Sequence, residues 1–246
     1  MSTKKIVITG AIAALMMAGA VAHAQTLNFS GYTWNVRPSG TGGPGPNNWD
    51  PNNAWVDPAT GWLHLRLTRQ NGQWYSAEVY TQARFGFGRY QFWIVGAVDK
   101  LDPNVVFGLF PYPTADVGPD GTNEIDIEFS KWGNSAAPMG NYTVWPTAAG
   151  MNQASQRFPF ALNNGTYSTQ RFTWSPTSIY FQSLYGHYDD DTNQFASWLY
   201  QPQNPANSIA QAPMPVHINL WCFKGNPPSD GQPVEVIVSA FKFTPM

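Results

Sequence analysis

Residues 121–132 read GTNEIDIEFSKW, and acidic and apolar residues alternate through the middle of this stretch. A period of two is that of a β-strand, whose successive side chains point to opposite faces. One face would enter a core through its apolar members, Ile125, Ile127 and Phe129. The other face would carry a row of three carboxyl groups, those of Glu124, Asp126 and Glu128.

This row of carboxyl groups is unfavourable on an ordinary strand, because like charges on one sheet face repel. At a rise of about 3.3 Å per residue, the Cα atoms of Glu124 and Glu128 lie about 13 Å apart, with Asp126 midway. Two Glu side chains that lean inward can bring their carboxyls to about 5 Å, the separation found in retaining glycosidases. The pattern leaves two other interpretations open, an acidic exposed strand and a calcium-binding edge.

The stretch resembles the signature of glycoside hydrolase family 16, in which Glu-x-Asp-x-Glu lies on one strand of a jelly-roll cleft. Further segments resemble other strands of the family in the same order, namely residues 76–81 with 87–90, 172–179, 215–221 and 241–245. The resemblance runs from about residue 27 to the C-terminus. It implies an all-β fold, an antiparallel β-sandwich (jelly roll) with a concave substrate cleft.

The first 24 residues have the pattern of a secretory signal peptide. Lys4 and Lys5 precede an apolar run, and Ala22-His23-Ala24 is a small-residue cleavage site. The mature chain is therefore expected to be a single domain of residues 25–246, secreted or periplasmic.

Composition narrows the classes of partner. The formal net charge is −2, only 11% of residues are charged, and no basic cluster is present, which disfavours nucleic acid and membrane surfaces. A single cysteine, Cys222, rules out an internal disulfide, and its place in a strand pattern predicts a small buried hydrophobe. The 11 Trp residues and the 15% aromatic content suggest sugar-stacking surfaces. We expect a monomer whose partner is a polysaccharide or oligosaccharide.

The resemblance implies a set of substrate-binding residues: Glu78, Tyr80, Trp132, Asn141, His217, Asn219 and Trp221. Strand periodicity supports part of this set, since it places His217, Asn219 and Trp221 on one face of their strand. Glu78 would lie in the cleft if Val79 is buried. His217 could hydrogen-bond the acid or the sugar, or be an inert polar neighbour.

Two positions depart from lichenase-like members of the family. Tyr80 stands where those members carry Arg, so a ring and hydroxyl would have to replace a guanidinium contact. Thr122 stands where many members have a Trp that forms the floor of the cleft. Trp132 or Trp145 would then supply the aromatic surface, although each could equally serve core or rim packing.

The loops give further expectations. Residues 29–36 are predicted as the first strand and residues 38–51 as an irregular loop, because Gly, Pro and Asn dominate the latter. The acidic run Asp189-Asp190-Asp191 predicts a solvated turn rather than a calcium loop, whose ligands usually alternate. Ser239 stands where calcium-binding family members use Asp, so no cofactor or metal is expected.

By resemblance, Glu124 is the nucleophile and Glu128 the general acid/base, and Asp126 orients Glu124. The implied activity is that of a retaining endo-glycosidase, which hydrolyses internal β-linkages of a glucan or galactan. Two alternatives remain: a transglycosylase using the same site, and a lectin-like module that binds sugar without turnover.

Overall fold

The structure, a computed structural model, describes residues 25–246, so the predicted signal peptide lies outside the described residues. Seventeen strands follow along this range: β1 (Thr26–Phe29), β2 (Tyr32–Val36), β3 (Gly40–Gly42), β4 (Asn47–Trp49), β5 (Ala54–Val56), β6 (Leu63–Gln70), β7 (Gln73–Phe85), β8 (Gly88–Val95), β9 (Val105–Pro111), β10 (Ile125–Phe129), β11 (Gly140–Val144), β12 (Ala154–Phe158), β13 (Tyr167–Trp174), β14 (Ile179–Tyr185), β15 (Gln194–Tyr200), β16 (Met214–Cys222) and β17 (Val234–Pro245).

Helix is confined to short segments of the described chain. They are α1 (Pro205–Ser208) and the 3-10 turns Pro51–Asn53, Val98–Lys100 and Phe223–Gly225. None of the helices in residues 25–246 is long and apolar enough to cross a bilayer.

Two antiparallel sheets form the body of the molecule. The first, termed here the cleft sheet, has the order β1-β2-β7-β16-β9-β10-β11-β12. The second, termed the outer sheet, has the order β5-β6-β17-β8-β13-β14-β15. Their facing sides are packed with aliphatic and aromatic side chains, and burial of this apolar surface is the main force that holds the sheets together. The predicted antiparallel β-sandwich is confirmed.

Strand register brings the predicted site residues into one row across the cleft sheet. Glu78 of β7 lies opposite Asn219 of β16, and Asn219 lies opposite Gly108 of β9. Gly108 in turn lies opposite Glu128 of β10, whose other neighbour is Asn141 of β11. Neighbouring strands are about 4.8 Å apart, so five strands contribute to a single row of adjacent side chains.

Two predicted segments differ from the structure. The stretch predicted as one strand over 29–36 is a hairpin, because Ser30 and Gly31 adopt left-handed φ values of 53° and 80° and reverse the chain between β1 and β2. The predicted loop 38–51 contains β3 and β4, and β4 pairs in parallel with β7. The Gly- and Pro-rich sequence does not predict these strands. They are so short that a few backbone hydrogen bonds to a neighbouring strand suffice to form them.

The acidic turn after β14 packs against the outer sheet. Arg171 is buried there, and it donates hydrogen bonds to the Asp190 carbonyl at 2.8 Å and to the Asp191 carboxylate. Ser239 donates to the carbonyl of Trp93 at 3.2 Å. Within residues 25–246, no three His, Cys, Asp or Glu side chains are grouped as metal ligands.

Candidate active site

Strand β10 presents its acidic residues to a cleft of about 670 Å³. The side chains of Glu124, Asp126 and Glu128 all line this cleft. The alternate residues of the strand are fully buried on the opposite side, in the core: Ile125, Ile127 and Phe129. The division of faces predicted from the alternation is therefore confirmed.

Glu124 lies one residue before β10 but keeps strand geometry. Its carbonyl accepts a hydrogen bond from the Trp145 backbone at 2.9 Å, which extends the ladder between β10 and β11 by one residue. The preceding residue, Asn123, has a left-handed φ of 59°, a conformation that Asn tolerates better than most residues. Glu124 is thus fixed by backbone pairing on one side and a tight turn on the other.

Burial and mutual repulsion raise the pKa of all three carboxyl groups. Burial raises the pKa of Glu124 from its usual 4.5 to about 8, and the neighbouring charge of Glu128 adds to the increase. Burial, followed by the charge of Glu124, raises the pKa of Asp126 well above its usual value. Burial and the charge of Asp126 do the same for Glu128. At neutral pH the cluster therefore retains protons that exposed carboxyls would have lost.

Asp126 is positioned to donate a hydrogen bond to Glu124. Asp126 is only 2% exposed, whereas Glu124 and Glu128 keep part of their surface open to the cleft. A hydrogen bond joins the carboxyls of Glu124 and Asp126; it lowers the pKa of Glu124 and raises that of Asp126. This hydrogen bond therefore favours the ionised form of Glu124 and the protonated form of Asp126. Trp145 Nε1 donates to Asp126 Oδ2 at 3.0 Å and holds it in place.

Glu78 anchors a second group of charged residues across the cleft. Its Oε1 lies 2.7 Å from His217 Nδ1, and its Oε2 accepts from Arg37 Nη1 at 2.6 Å. Burial alone would raise the pKa of Glu78, but the hydrogen bonds and charges of His217 and Arg37 outweigh it and lower the pKa. Glu78 is therefore ionised, and both of its oxygens are occupied. Val79 is fully buried, as the predicted cleft position of Glu78 requires.

Arg37 supplies the guanidinium that the sequence lacks at Tyr80. Arg37 lines the cleft, and its Cζ lies 3.8 Å from the centre of the Trp49 ring, which supports it from behind. Tyr80, which was expected to replace this guanidinium, is not among the residues that line the cleft. Arg37 was missed because it precedes Glu78 by 41 residues and meets it only through the pairing of β2 with β7.

Tyr80 and Asn141 do not line the cleft. Tyr80 stacks on the His217 ring, with centroids 5.1 Å apart and an interplanar angle of 15°, and Phe110 lies against the same imidazole. Asn141 is buried, and its amide donates to the carbonyls of Ser130 and Met139, each at 3.0 Å. The two side chains hold cleft residues in position from behind the wall.

Aromatic rings form much of the cleft surface. Trp132, Trp145 and Trp221 all line it. Trp132 has a left-handed φ of 54°, which is uncommon for a bulky residue, and its Nε1 donates to Asn141 Oδ1 at 3.0 Å. Both candidates for the aromatic surface missing at Thr122, Trp132 and Trp145, are therefore present in the cleft.

The remaining predicted residues, His217 and Asn219, also line the cleft. Asn219 Oδ1 is buried without a hydrogen-bond partner in the described structure, which is rare for an amide oxygen and leaves it free to accept from a bound ligand. Two further cleft residues, Tyr112 and Asp120, carry no sequence signal, and their side chains hydrogen-bond each other at the cleft wall. Their Pro-rich segment carries no strand periodicity that would have indicated an inward orientation.

Comparison with known proteins places this geometry on a known fold. Neither protein-family models nor curated protein sequences gave a match. A β-glucanase of Bacillus licheniformis superposes with a TM-score of 0.65 at 21% identity, covering 89% of this chain and 95% of its own. The GH16 protein of the Bacteroides ovatus mixed linkage glucan PUL, in complex with a G4G4G3G product, gives 0.64 at 15% identity, covering 86% and 94%.

A third similar structure belongs to a Mycobacterium tuberculosis protein described as an immunostimulatory antigen and pseudo β-1,3-glucanase. Its TM-score is 0.63 at 21% identity, with 87% of this chain and 91% of that chain covered. The molecule is thus an antiparallel sandwich with a carboxyl-lined cleft. More specifically, it has the jelly-roll fold of glycoside hydrolase family 16 structures, as the sequence resemblance implied.

Proposed function

We propose that this protein is a retaining glycoside hydrolase of family 16 that cleaves internal β-linkages of a neutral polysaccharide. The observation that carries the proposal is the arrangement on β10. Glu124 and Glu128 reach the cleft on one strand face, and the buried Asp126 between them hydrogen-bonds Glu124. Two carboxyls in different protonation states at one cleft are what glycosidic cleavage requires.

In the first step, Glu124 attacks the anomeric carbon while Glu128 gives its proton to the departing glycosidic oxygen. Burial, followed by the charge of Asp126, raises the pKa of Glu128 and so favours the protonated form that this step needs. The hydrogen bond from Asp126 favours the ionised form of Glu124, which is the nucleophilic form. A glycosyl ester on Glu124 results, and the leaving sugar takes the proton.

In the second step, Glu128 is ionised and accepts a proton from a water molecule. The water attacks the anomeric carbon, the ester bond to Glu124 breaks, and the product leaves with its original anomeric configuration. An acceptor sugar in place of water would give transglycosylation on the same residues. Asp126 stabilises the carboxylate of Glu124 as it is released.

The charge of the cleft favours a neutral substrate. Five carboxyl side chains line it, those of Glu78, Asp120, Glu124, Asp126 and Glu128, against one guanidinium, that of Arg37, which is already paired with Glu78. The lining therefore offers a sulfated or uronic polymer no unpaired guanidinium or ammonium group. The tryptophans of the cleft suit the apolar faces of sugar rings, and Asn219 Oδ1 can accept from a hydroxyl. Since two similar structures are linked to β-glucan, mixed-linkage β-1,3-1,4-glucan is the first substrate to test.

Export is part of the proposal, because a polymeric polysaccharide substrate would be found outside the cytoplasm. The N-terminal pattern of Lys4 and Lys5, an apolar run and Ala22-His23-Ala24 supports it. The proposed mature chain is the single domain of residues 25–246.

A second candidate is a glycan-binding protein without turnover, which the likeness to a pseudo β-1,3-glucanase favours. The carboxyl cluster argues against it. Three buried carboxyls on one strand face raise one another's pKa, and a protein that only binds sugar gains nothing from that cost.

The test combines reducing-end release with time-resolved NMR of the first product. Wild-type protein would be incubated with mixed-linkage β-glucan, laminarin, xyloglucan, agarose and carrageenan. We expect release from a neutral polymer, with the β-anomer appearing first and the α-anomer only by mutarotation. An α-anomer as first product would contradict the mechanism. Binding to glucan without release from any polymer would establish the second candidate instead.

Gly108→Ala is expected to lower kcat/KM by about 100-fold, because Gly108 occupies the row between Asn219 and Glu128. A Cβ atom there would lie 2.6 Å from Asn219 Oδ1 and 3.2 Å from the Phe110 ring, so the Asn219 amide in the cleft must move. The measurement is β-glucan hydrolysis together with a thermal melt. Gly86→Ala is the matched control, since its new Cβ meets only Pro213 Cβ at 3.8 Å. Equal activity of the two variants would show that the row does not fix the geometry.

A further inference from the structure

A second cavity, of about 970 Å³, lies at one edge of the outer sheet. Its walls are formed by residues 161–167, where β13 begins, and by residues 185–188 with Asn193, where β14 ends and its hairpin turns. It shares no lining residue with the catalytic cleft. We refer to it as the tyrosine cavity.

Three exposed tyrosines define this cavity. Tyr167, Tyr185 and Tyr188 are 47%, 38% and 39% exposed, and all three line it. They account for half of the six large apolar or aromatic side chains that are exposed in residues 25–246. Exposed side chains of this kind are ordinarily scattered, so their grouping in one concavity indicates a binding surface.

The rings are held in place before any ligand arrives. Tyr167 stacks on His187 with centroids 4.6 Å apart and an interplanar angle of 15°, and Tyr185 packs on Phe195 at 4.3 Å. The His187 ring is itself fixed by a hydrogen bond of 3.0 Å between Nε2 and the Ile94 carbonyl. Binding of a ligand would therefore cost these side chains little conformational entropy.

Backbone contacts fix the third ring. The Tyr188 amide donates to Thr169 Oγ1 at 3.1 Å, and Thr169 Oγ1 donates to the Gly186 carbonyl at 2.8 Å. Gly186 has a left-handed φ of 80°, and a Cβ atom there would lie 2.5 Å from the Tyr188 ring. The Tyr188 ring thus rests directly on the backbone of the turn.

The amide and hydroxyl side chains of the cavity are neutral and available for hydrogen bonds. Asn163, Asn164 and Asn193 contribute side-chain amides, and none of these amides or of the three tyrosine hydroxyls hydrogen-bonds another described residue. The lining contains no Lys, Arg, Asp or Glu. Burial lowers the pKa of His187, so this side chain is uncharged at neutral pH.

We propose that the tyrosine cavity is a second, non-catalytic binding site for a neutral polysaccharide chain. Planar rings offer stacking faces for sugar rings, amides and hydroxyls pair with sugar hydroxyls, and the lack of charge matches a neutral chain. The inference goes beyond the proposed catalytic function and rests on it only for sugar binding in the cleft, which the Glu124→Gln protein would retain. A long polymer held at both the cavity and the cleft would bind more tightly than either site alone allows.

Affinity electrophoresis in gels containing soluble mixed-linkage β-glucan tests the proposal. Glu124→Gln protein is used, so that the polymer is not cut, and is compared with the same protein carrying Tyr167→Ala and Tyr188→Ala. We expect the tyrosine changes to weaken affinity for the polymer by about tenfold or more. Affinity for a short oligosaccharide, which fills only the cleft, should not change.

Leu199→Ala provides the matched control, because Leu199 is 55% exposed on the same sheet and lies outside the cavity. Tyr167→Phe with Tyr188→Phe should keep most of the affinity if stacking dominates. Unchanged retardation of the alanine variant, or absence of retardation in the parent, would overturn the proposal. So would a dimer in sedimentation that the alanine changes dissociate, since the cavity would then bind a second copy of the chain. Failure of hydrolysis alone would leave these binding measurements intact and would bear only on the proposed function.

Discussion

Glu124→Gln is expected to abolish release of reducing ends from β-glucan, with kcat falling by roughly 10⁴-fold or more. An amide cannot attack the anomeric carbon, so the glycosyl ester does not form. The structure makes this a clean test, because Gln keeps the size of the side chain and can still interact with Asp126. The measurement is initial rate on the polymer at several concentrations, together with glucan binding.

The matched control for this variant is Glu235→Gln. Glu235 lies on β17 of the outer sheet, paired with His64 and Arg66 and remote from the cleft lining. We expect its activity to equal that of the wild type. If Glu124→Gln retained more than about one hundredth of the activity, another group would have to be the nucleophile.

Glu128→Gln is expected to separate the two chemical steps. Hydrolysis of the polymer should fall by about 10² to 10⁴-fold, because no proton reaches the leaving oxygen. An aryl β-glycoside with a good leaving group needs no such proton, so its first step should remain fast. The second step then lacks a base, and a glycosyl ester on Glu124 should accumulate and appear as a mass increase in the intact protein.

The pH dependence of kcat/KM provides an independent test of the role of Glu128. Burial and the charge of Asp126 raise the pKa of Glu128, so loss of its proton should produce the alkaline limb of kcat/KM in the wild type. With the aryl glycoside, Glu128→Gln should lack that limb and keep the acidic limb, which reports Glu124. An unchanged alkaline limb, or a polymer rate like that of the wild type, would remove Glu128 from the role of acid/base.

Local sequence was enough to predict the part of the site that lies on one strand. Alternation in β10 and in β16 assigned each side chain to the cleft or the core, because a strand has only two faces. Cys222 is buried as its strand parity predicted, and burial raises the pKa of its thiol to about 12. The resemblance added the order of the strands and hence the fold.

The features of the fold and site that could not be predicted from the sequence depend on contacts between distant segments. Arg37 reaches Glu78 only because β2 pairs with β7, and no local pattern indicates that pairing. Asn141 lies directly opposite Glu128, yet its amide donates to backbone carbonyls that have no strand partner where β10 ends. This hydrogen bonding could be predicted only if the end of the strand were known. Short strands such as β3 and β4 depend on a partner edge rather than on their own propensity.

The raised carboxyl pKa values have a thermodynamic consequence for the whole fold. Below about pH 4.5, Glu124 is protonated in both the folded and the unfolded chain, and folding costs it nothing. Between about 4.5 and about 8 the unfolded chain releases this proton and the folded chain keeps it, so the free energy of unfolding decreases as pH rises through that window. Asp126 and Glu128 act in the same direction. The groups proposed to perform the chemistry are therefore among those that weaken the folded state as pH rises, and interactions elsewhere in the sandwich must offset that loss of stability.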